Sequence, residues 1–222
     1  SWLRGISFIT VPTTILAMVD AAVGGKTGIN VAAGKNLVGA FHEPIGVICE
    51  LSTLASLPPR EISGGLAEVI KCGFIADPSI LDDVESHTSQ AMNPSSDLLA
   101  DLIMRGIAVK ADAVTRDLKE TGADGTIGRE ALNYGHTLGH AIERFEHYQN
   151  RHGEAISVGM VFAAELGFRA GFIDAQLLAR HRSALELVGL PITWAGGSFD
   201  QMLAGMRLDK KSRGSQIRFV IL

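Results

Sequence analysis

The sequence predicts a mainly helical domain that carries a few strands. Apolar residues recur at helical spacing in six segments, residues 60–74, 98–118, 131–146, 153–170, 175–188 and 199–206. Two β-branched apolar stretches, residues 5–11 and 217–222, have instead the composition of buried strands. Because no internal repeat is present, we expect one helical domain rather than a repeat array.

The bulk composition is typical of a globular protein. Hydrophobic residues make up 46% of the 222 residues and charged residues 20%, which excludes the polar composition of a disordered chain. The net charge is −4 and the longest basic run is Lys210-Lys211, so no nucleic-acid surface is predicted. No apolar run approaches the roughly 20 residues of a membrane helix. Cys49 and Cys72 indicate neither a disulfide framework nor a thiolate zinc site, and we expect a cytoplasmic protein.

The N-terminal segments combine a strand, a short helix and two loops. The strand predicted over residues 5–11 ends at Pro12 and has no candidate partner close to it in the sequence. We therefore expect its sheet to lie upstream of residue 1. A short helix is predicted over residues 13–20, and glycine-rich loops over residues 24–28 and 34–36. Residues 120–128 are predicted to form a flexible loop.

The strongest chemical signal is the segment Asn-Tyr-Gly-His-Thr-Leu-Gly-His at residues 133–140. His136 and His140 are four residues apart, so a continuous helix would place both imidazoles on one face, with Asn133 one turn earlier. His152 stands just before the next helix, and Glu68 lies in an apolar helical segment. Two histidines and one carboxylate make an open zinc site, which leaves a position for water or a substrate hydroxyl.

The alternative interpretation of the histidine pair is a solvated helix face or a hydrogen-bonded pair in the core, and Glu68 by itself is typical of an exposed glutamate. Gly135 and Gly139 favour the functional interpretation. Each lowers helix propensity by about 1 kcal/mol relative to alanine, which indicates close approach of a ligand or of another backbone.

Cationic residues, several of them in glycine-rich loops, form a second group. Backbone N–H groups and lysines in such loops bind phosphate oxygens, and arginine offers a two-pronged contact for a carboxylate. An anionic substrate fits this group, although each lysine could also be an ordinary surface residue. The segment 24–28 lacks the earlier glycine of a P-loop, so an NTPase is excluded. The group comprises Lys26, Lys35 with Asn36, Lys71, Lys110, Arg129, Lys210 and Lys211.

Seven motifs, in this order, resemble the dehydroquinate synthase family, a branch of the sugar-phosphate cyclases. They are VPTTILAMVD at residues 11–20, GGKTG at 24–28, GKNLVG at 34–39, AEVIK at 67–71, LNYGHTLGH at 132–140, HGEA at 152–155 and DKK at 209–211. The resemblance implies a two-domain α/β plus α enzyme whose N-terminal nucleotide-binding domain is absent from this chain. Residues 1–11 would be the last strand of that domain, and residues 12–222 the helical metal- and substrate-binding domain. The lack of a Gly-x-Gly-x-x-Gly fingerprint agrees with this division.

The resemblance also implies roles for individual residues. The zinc ligands would be Glu68, His136 and His152, with Co²⁺ as a possible substitute for Zn²⁺. Catalytic roles would fall to His140, Lys26, Asn133, Arg129 and Lys110. Substrate contacts would come from Asp20, Lys26, Asn36, Lys71, Lys110, Arg129, Asn133 and Lys210 or Lys211. Positions near NAD would be Thr13, Thr14, Leu16, Lys35, Ser56, Leu57 and Glu61. Arg4 would reach the phosphate site of a second subunit, which implies a homodimer.

The implied reaction converts 3-deoxy-D-arabino-heptulosonate 7-phosphate into 3-dehydroquinate and phosphate, in the shikimate pathway. Alternatives are another cyclase that makes an inosose, valiolone or aminodehydroquinate, a metal-dependent polyol dehydrogenase, or a helical interaction module without catalysis. Two features depart from the family pattern. The loop between Lys110 and Arg129 is longer and differs at residues 116–120, and Ser56 stands where threonine is common.

Overall fold

The computed structural model describes residues 5–31, 34–116, 128–149, 151–209 and 217–222. Its helices are α1 (Pro59–Ile75), α2 (Pro78–Ser86), α3 (Thr88–Ala91), α4 (Asp97–Arg116), α5 (His136–Phe145), α6 (His152–Ala170), α7 (Ala175–Leu187) and α8 (Phe199–Asp209). Its strands are β1 (Ile9–Thr10), β2 (Lys26–Val31), β3 (Gly34–Phe41) and β4 (Gly46–Val47). Shorter helical turns cover Ala17–Ala21, Leu51–Ser56 and Arg129–Asn133. The predicted mainly helical architecture is confirmed.

Helix α1 is the centre of the fold. It begins with Pro59 in its first turn, a position that needs no backbone N–H donor, and its residues from Ile62 to Gly73 are all buried. It contacts α2, α4, α6 and α7, so the polar residues in its buried part face packed helices rather than water. Glu68 and Lys71 therefore lie in the interior, at 3% and 2% exposure. The interpretation of Glu68 as an ordinary exposed glutamate is wrong.

Helices α1 and α6 approach each other closely at a pair of glycines. A Cβ atom on Gly153 would lie 2.0 Å from the carbonyl oxygen of Gly64, far inside any van der Waals contact. Only glycine at position 153 allows this packing. Because His152 precedes Gly153 as the first residue of α6, the same contact brings its imidazole next to α1.

The β-strands differ from the predictions in three places. The predicted loops at residues 24–28 and 34–36 are largely the antiparallel hairpin β2–β3, since backbone pairing between the two segments overrides their glycine content. The strand over residues 5–11 shortens to β1, which has a partner after all, the parallel strand β4. Residues 217–222 form no strand with the described residues and instead pack as an extended segment, with Val220 and Leu222 against the main core.

Two helical predictions also need correction. The helix predicted over residues 131–146 is interrupted, because Gly135 adopts φ +76° and α5 starts only at His136. Helices α2 and α3 are additional to the predicted set; Asp77 caps α2 by accepting a hydrogen bond from the Ser79 N–H. The short N-terminal helix includes a π-helical turn over Ala17–Ala21. No described helix is both long and apolar enough to cross a membrane.

Candidate metal centre

Three helices bring one potential metal ligand each to a common point. Glu68 lies in the middle of α1, His136 is the first residue of α5, and His152 is the first residue of α6. Their nearest ligand atoms all lie within 4.8 Å of one another. The Glu68 Oε1 atom is 3.7 Å from His136 Nε2 and 3.6 Å from His152 Nε2. The three residues that the family resemblance implies as zinc ligands thus converge in space.

Hydrogen bonds on the far side of each imidazole turn its Nε2 atom towards Glu68. The Nδ1 atom of His136 donates to the carbonyl oxygen of Tyr134 at 3.0 Å. The Nδ1 atom of His152 donates to the Glu143 carboxylate at 3.1 Å. In a neutral imidazole the nitrogen that does not carry the proton keeps its lone pair for a metal. A carboxylate or carbonyl behind a ligating histidine is the usual arrangement in metal sites.

The facing atoms fit a divalent cation. Within the described part of the chain, the buried Glu68 Oε1 and His152 Nε2 atoms have no hydrogen-bond partner. Leaving such atoms unsatisfied costs about 1–3 kcal/mol each, so their retention needs an explanation. Two tetrahedral ligand atoms at zinc bond lengths of about 2.0–2.1 Å are roughly 3.3 Å apart, close to the observed separations. A His₂Glu set with these separations matches the donors of open catalytic zinc sites.

The electrostatics favour an ionised Glu68 beside neutral His136. Burial opposes ionisation of Glu68, but the positive charge of Lys71 and the interactions with His152 and His136 together outweigh it and hold the pKa of this carboxyl well below its usual range. Burial, aided by the Lys71 charge, lowers the pKa of His136 well below its ordinary value. Burial also disfavours protonation of His152, yet the hydrogen bond to Glu143 and the charge of Glu68 raise its pKa to about 9. A metal ion at His152 therefore has to displace a proton.

His140 lies beside the three candidate ligands. Its ring centroid is 5.1 Å from that of His136 and 6.3 Å from that of His152, and its side chain is 28% exposed. Its Nε2 atom is 4.0 Å from Glu143 Oε2. His140 thus has access to solvent, which suits proton transfer better than structural burial.

The predicted position of Asn133 changes, because the helix does not extend back to it. Asn133 ends a separate helical turn before Gly135, so the expectation that it shares a helix face with His136 is wrong. Of the two reasons expected for a glycine at position 135, the close approach of another backbone is confirmed. A Cβ atom there would lie 2.7 Å from the backbone nitrogen of Met160 in α6.

Three further predicted site residues form a connected set of charged side chains next to Glu68. Lys71 forms an ion pair with Glu68, and the negative charge of Asp20 also acts on Lys71. Asp20 in turn forms an ion pair with Lys110 of α4. The structure therefore connects Asp20, Lys71 and Lys110 to the metal centre. Arg129 is 5% exposed and lies beside the turn at Gly24, where an added Cβ atom would be 3.7 Å from its guanidinium.

The positions expected near NAD lie on adjoining segments. Thr13, Thr14 and Leu16 lead into the π-helical turn, Ser56 and Leu57 end the turn before α1, and Glu61 lies in the first turn of α1. The Thr53 hydroxyl donates to the Thr13 carbonyl oxygen at 3.4 Å and joins two of these segments. The remaining predictions fall outside the described residues or side chains, and these are Arg4, Lys26, Lys35, Asn36, Lys210 and Lys211.

Sequence reasoning missed Glu143 and Tyr134, which hold the two histidines. Glu143 follows His140 by three residues and His136 by seven, a spacing that places it on the same face of α5. This spacing could have identified Glu143. The role of Tyr134 comes from its backbone carbonyl and from a left-handed glycine, and no side-chain pattern indicates it.

Comparisons with known proteins decide the family. Residues 65–212 match the family model for the 3-dehydroquinate synthase C-terminal region, and residues 1–64 match that for the N-terminal region. The chain belongs to the 3-dehydroquinate synthase family. The two matched regions meet inside α1, a continuous helix, so their junction is no structural boundary. The division of this family member at residue 12 stays a prediction.

Curated members of the 3-dehydroquinate synthase family align over the whole chain. The 3-dehydroquinate synthase of Thermobifida fusca is 60% identical over 222 residues, and that of Paenarthrobacter aurescens is 58% identical. The chain spans 59% and 60% of the lengths of these two relatives.

Solved structures share the fold of this family member. A 2-epi-5-epi-valiolone synthase from Streptomyces hygroscopicus, solved with NAD⁺ and Zn²⁺, has a TM-score of 0.89 at 24% identity over 98% of the chain and 60% of its own. A 2-deoxy-scyllo-inosose synthase has a TM-score of 0.76 at 30% identity over 91% of the chain and 55% of its own.

Proposed function

We propose that this chain carries the metal- and substrate-binding part of a 3-dehydroquinate synthase. The reaction would convert 3-deoxy-D-arabino-heptulosonate 7-phosphate into 3-dehydroquinate and phosphate, as a step of the shikimate pathway to aromatic amino acids. The observation that carries this proposal is the convergence of Glu68, His136 and His152, two of which, Glu68 and His152, turn unsatisfied buried atoms towards each other. This convergence occurs in a chain that matches curated 3-dehydroquinate synthases along all of its 222 residues.

The proposed cofactors are Zn²⁺, with Co²⁺ as a substitute, and NAD. When bound, zinc would acidify a substrate hydroxyl and polarise the carbonyl formed from it, while NAD would accept a hydride and later return it. Support comes from the synthase solved with NAD⁺ and Zn²⁺ and from an inosose synthase solved with carbaglucose-6-phosphate, NAD⁺ and Co²⁺. The residues proposed near NAD are Thr13, Thr14, Leu16, Lys35, Ser56, Leu57 and Glu61.

Residues of this chain would bind the metal, transfer a proton and contact the substrate. Glu68, His136 and His152 would hold the metal, and His140 would move a proton at the substrate because it is partly exposed and lies next to the ligands. Burial disfavours the charge on Lys71, but the ion pair with Glu68 raises its pKa and keeps it charged, so it can hold an anionic substrate close to the metal. Further proposed contacts are Asp20, Lys110 and Asn133 to the substrate, Lys26, Asn36 and Lys210 or Lys211 to its phosphate, and Arg4 to the phosphate site of a second subunit in a homodimer. A cytoplasmic location belongs to the same proposal.

Arg129 favours a carboxylated substrate over sugar phosphates that lack a carboxylate. Its guanidinium is almost fully buried, and a buried guanidinium binds planar anions such as carboxylate most favourably. An inosose, valiolone or aminodehydroquinate synthase, or a polyol dehydrogenase, remains the alternative proposal. Among these alternatives, the likeness to the inosose synthase at 30% identity favours an inosose synthase.

The test is a comparison of substrates with the full-length protein. Phosphate release and dehydroquinate formation are measured with the heptulosonate phosphate, NAD and Zn²⁺, and then with sugar phosphates that lack the carboxylate. We expect turnover of the carboxylated substrate alone, and at least a tenfold loss in Arg129→Met, because a charged contact worth roughly 1.5–3 kcal/mol is removed. Equal phosphate release from carboxylate-free sugars would replace the proposal with the cyclase alternative.

A further inference from the structure

A buried histidine on α7 has no place in the proposed chemistry. His181 is fully buried, and its ring stacks on Phe74 of α1 with centroids 3.6 Å apart and planes 8° from parallel. Its Nδ1 atom faces the Leu177 carbonyl oxygen at 2.7 Å, and its Nε2 atom faces the Tyr134 hydroxyl at 2.8 Å. Since a carbonyl can only accept, Nδ1 carries the proton and Nε2 accepts from the tyrosine.

Burial keeps His181 in this form. Burial lowers its pKa to about 4, with the Leu177 hydrogen bond acting in the opposite direction and the Arg180 charge in the same direction. The imidazole is therefore neutral near pH 7, and its Nε2 lone pair stays available to Tyr134. The tyrosine hydroxyl is thereby satisfied in a fully buried position.

Tyr134 connects this buried pair to the metal centre. Its hydroxyl is held by His181 at one end, and at the other end its backbone carbonyl accepts the Nδ1–H of His136. The residue lies between the turn Arg129–Asn133 and Gly135, whose φ is +76°. The Tyr134 N–H donates to the Ala131 carbonyl oxygen at 3.0 Å, but no continuous helix runs through the residue. We therefore expect the anchored ring to contribute to the direction of its carbonyl.

We propose that His181 and Tyr134 are positioning residues for the metal centre. Their hydrogen bond orients the Tyr134 peptide, and the carbonyl of that peptide selects the tautomer and ring direction that turn His136 Nε2 towards Glu68. The inference rests on the proposed function to the extent that a metal binds at Glu68, His136 and His152. Removing one such outer partner typically lowers metal affinity by about 10–100-fold.

The test measures metal affinity, which a purely structural role would leave unchanged. In the full chain, Zn²⁺ affinity is determined by competition with a chromophoric chelator for wild type, Tyr134→Phe, His181→Phe and His181→Gln. Phenylalanine at position 181 keeps a ring on Phe74 but cannot accept a hydrogen bond, whereas glutamine can accept from Tyr134 and donate to Leu177. Thr88→Val is the control, because it removes a 2.8 Å hydroxyl–carbonyl bond from α3 to Val84 of α2, and neither helix carries any of the three ligands.

We expect about tenfold weaker zinc binding in Tyr134→Phe and His181→Phe, a smaller loss in His181→Gln, and none in Thr88→Val. ¹⁵N NMR of the metal-free protein provides a second measurement, and it should show the Nδ1–H form of His136 in wild type and a mixture of tautomers in Tyr134→Phe. Wild-type affinity and tautomer in both phenylalanine variants would overturn the inference. A wild-type protein that binds no zinc would instead overturn the proposed function, and the NMR result would still decide the tautomer. If His181→Phe does not fold, the zinc affinities of Tyr134→Phe and His181→Gln decide whether the inference holds.

Discussion

The Nδ1 atom of His152 donates a hydrogen bond to Glu143 Oε1 at 3.1 Å, across the junction between α5 and α6. Glu143 is 5% exposed, and its second oxygen is 4.0 Å from His140. One buried carboxylate therefore orients a candidate metal ligand and lies near the candidate proton-transfer residue. A substitution of Glu143 should therefore affect both His152 and His140.

The first prediction concerns this carboxylate. Replacing Glu143 with glutamine removes the charge that makes His152 a stronger donor to the metal, so we expect zinc affinity to fall by about 10–100-fold. Competition titration at pH 7.5 measures the change. The control is Glu165→Gln on α6, which removes a surface partner of Arg182 and should leave affinity unchanged. Equal affinities for the two variants would contradict a role for Glu143 at the metal.

The second prediction concerns the buried ion pair between Glu68 and Lys71, whose side chains are 4% and 3% exposed. Lys71→Met leaves the Glu68 carboxylate buried without its cation, which should destabilise the metal-free protein by about 3–5 kcal/mol. Zinc should restore part of that loss, because it neutralises the same carboxylate. Urea unfolding with and without zinc provides both values.

The matched variant for this experiment removes both charges. Glu68→Met with Lys71→Met should be destabilised less than Lys71→Met alone, since no unpaired charge remains in the core. The double variant should also fail to respond to zinc. A single variant as stable as wild type would show that Glu68 is not held as a buried carboxylate.

The third prediction uses the close contact between α1 and α6. Gly153→Ala places a methyl group 2.0 Å from the Gly64 carbonyl oxygen, so the helices must separate. We expect a loss of about 1–3 kcal/mol in the free energy of unfolding, together with weaker zinc binding as His152 moves from Glu68. Gly64→Ala is the control, because a Cβ atom there has no neighbour within 4 Å. If both alanine variants unfold at the same urea concentration, the contact is looser than described.

The fourth prediction is a pH dependence that originates at His181. Its pKa is about 4 in the folded protein and 6.5 in its ordinary state, so the unfolded chain takes up a proton first as the pH falls. The contribution to stability is fully present above pH 6.5 and is lost between pH 6.5 and 4, and it amounts to about 3 kcal/mol. The groups that face the ring are the Tyr134 hydroxyl, the Leu177 carbonyl and the nearby Arg180 charge.

His181→Gln isolates this contribution from the titration of the carboxylates. Urea unfolding at several pH values between 7 and 4 should show a smaller loss of stability in the variant than in wild type, by about the same 3 kcal/mol. If stability falls equally with pH in the two proteins, His181 has the same pKa in the folded and unfolded states.

The amino-acid sequence by itself determined the helical architecture and the identity of the candidate ligands. Apolar spacing predicts α1, α4, α6, α7 and α8 to within a few residues, because each buries one side against its neighbours and periodicity records which side. The ordered motifs identify Glu68, His136 and His152, because a metal site requires particular side-chain types at those positions. These properties are local and can be read along the chain.

Only the tertiary structure decided what depends on contacts between distant segments. The hairpin β2–β3 and the pairing of β1 with β4 arise from partners that no local pattern specifies. The break before α5 follows from Gly135, whose positive φ lets the chain pass close to α6. Burial of Glu68, the Glu143 contact to His152 and the link from His181 through Tyr134 to His136 each join residues from different elements. Long-range packing sets these distances, and side-chain orientation and ionisation follow from them.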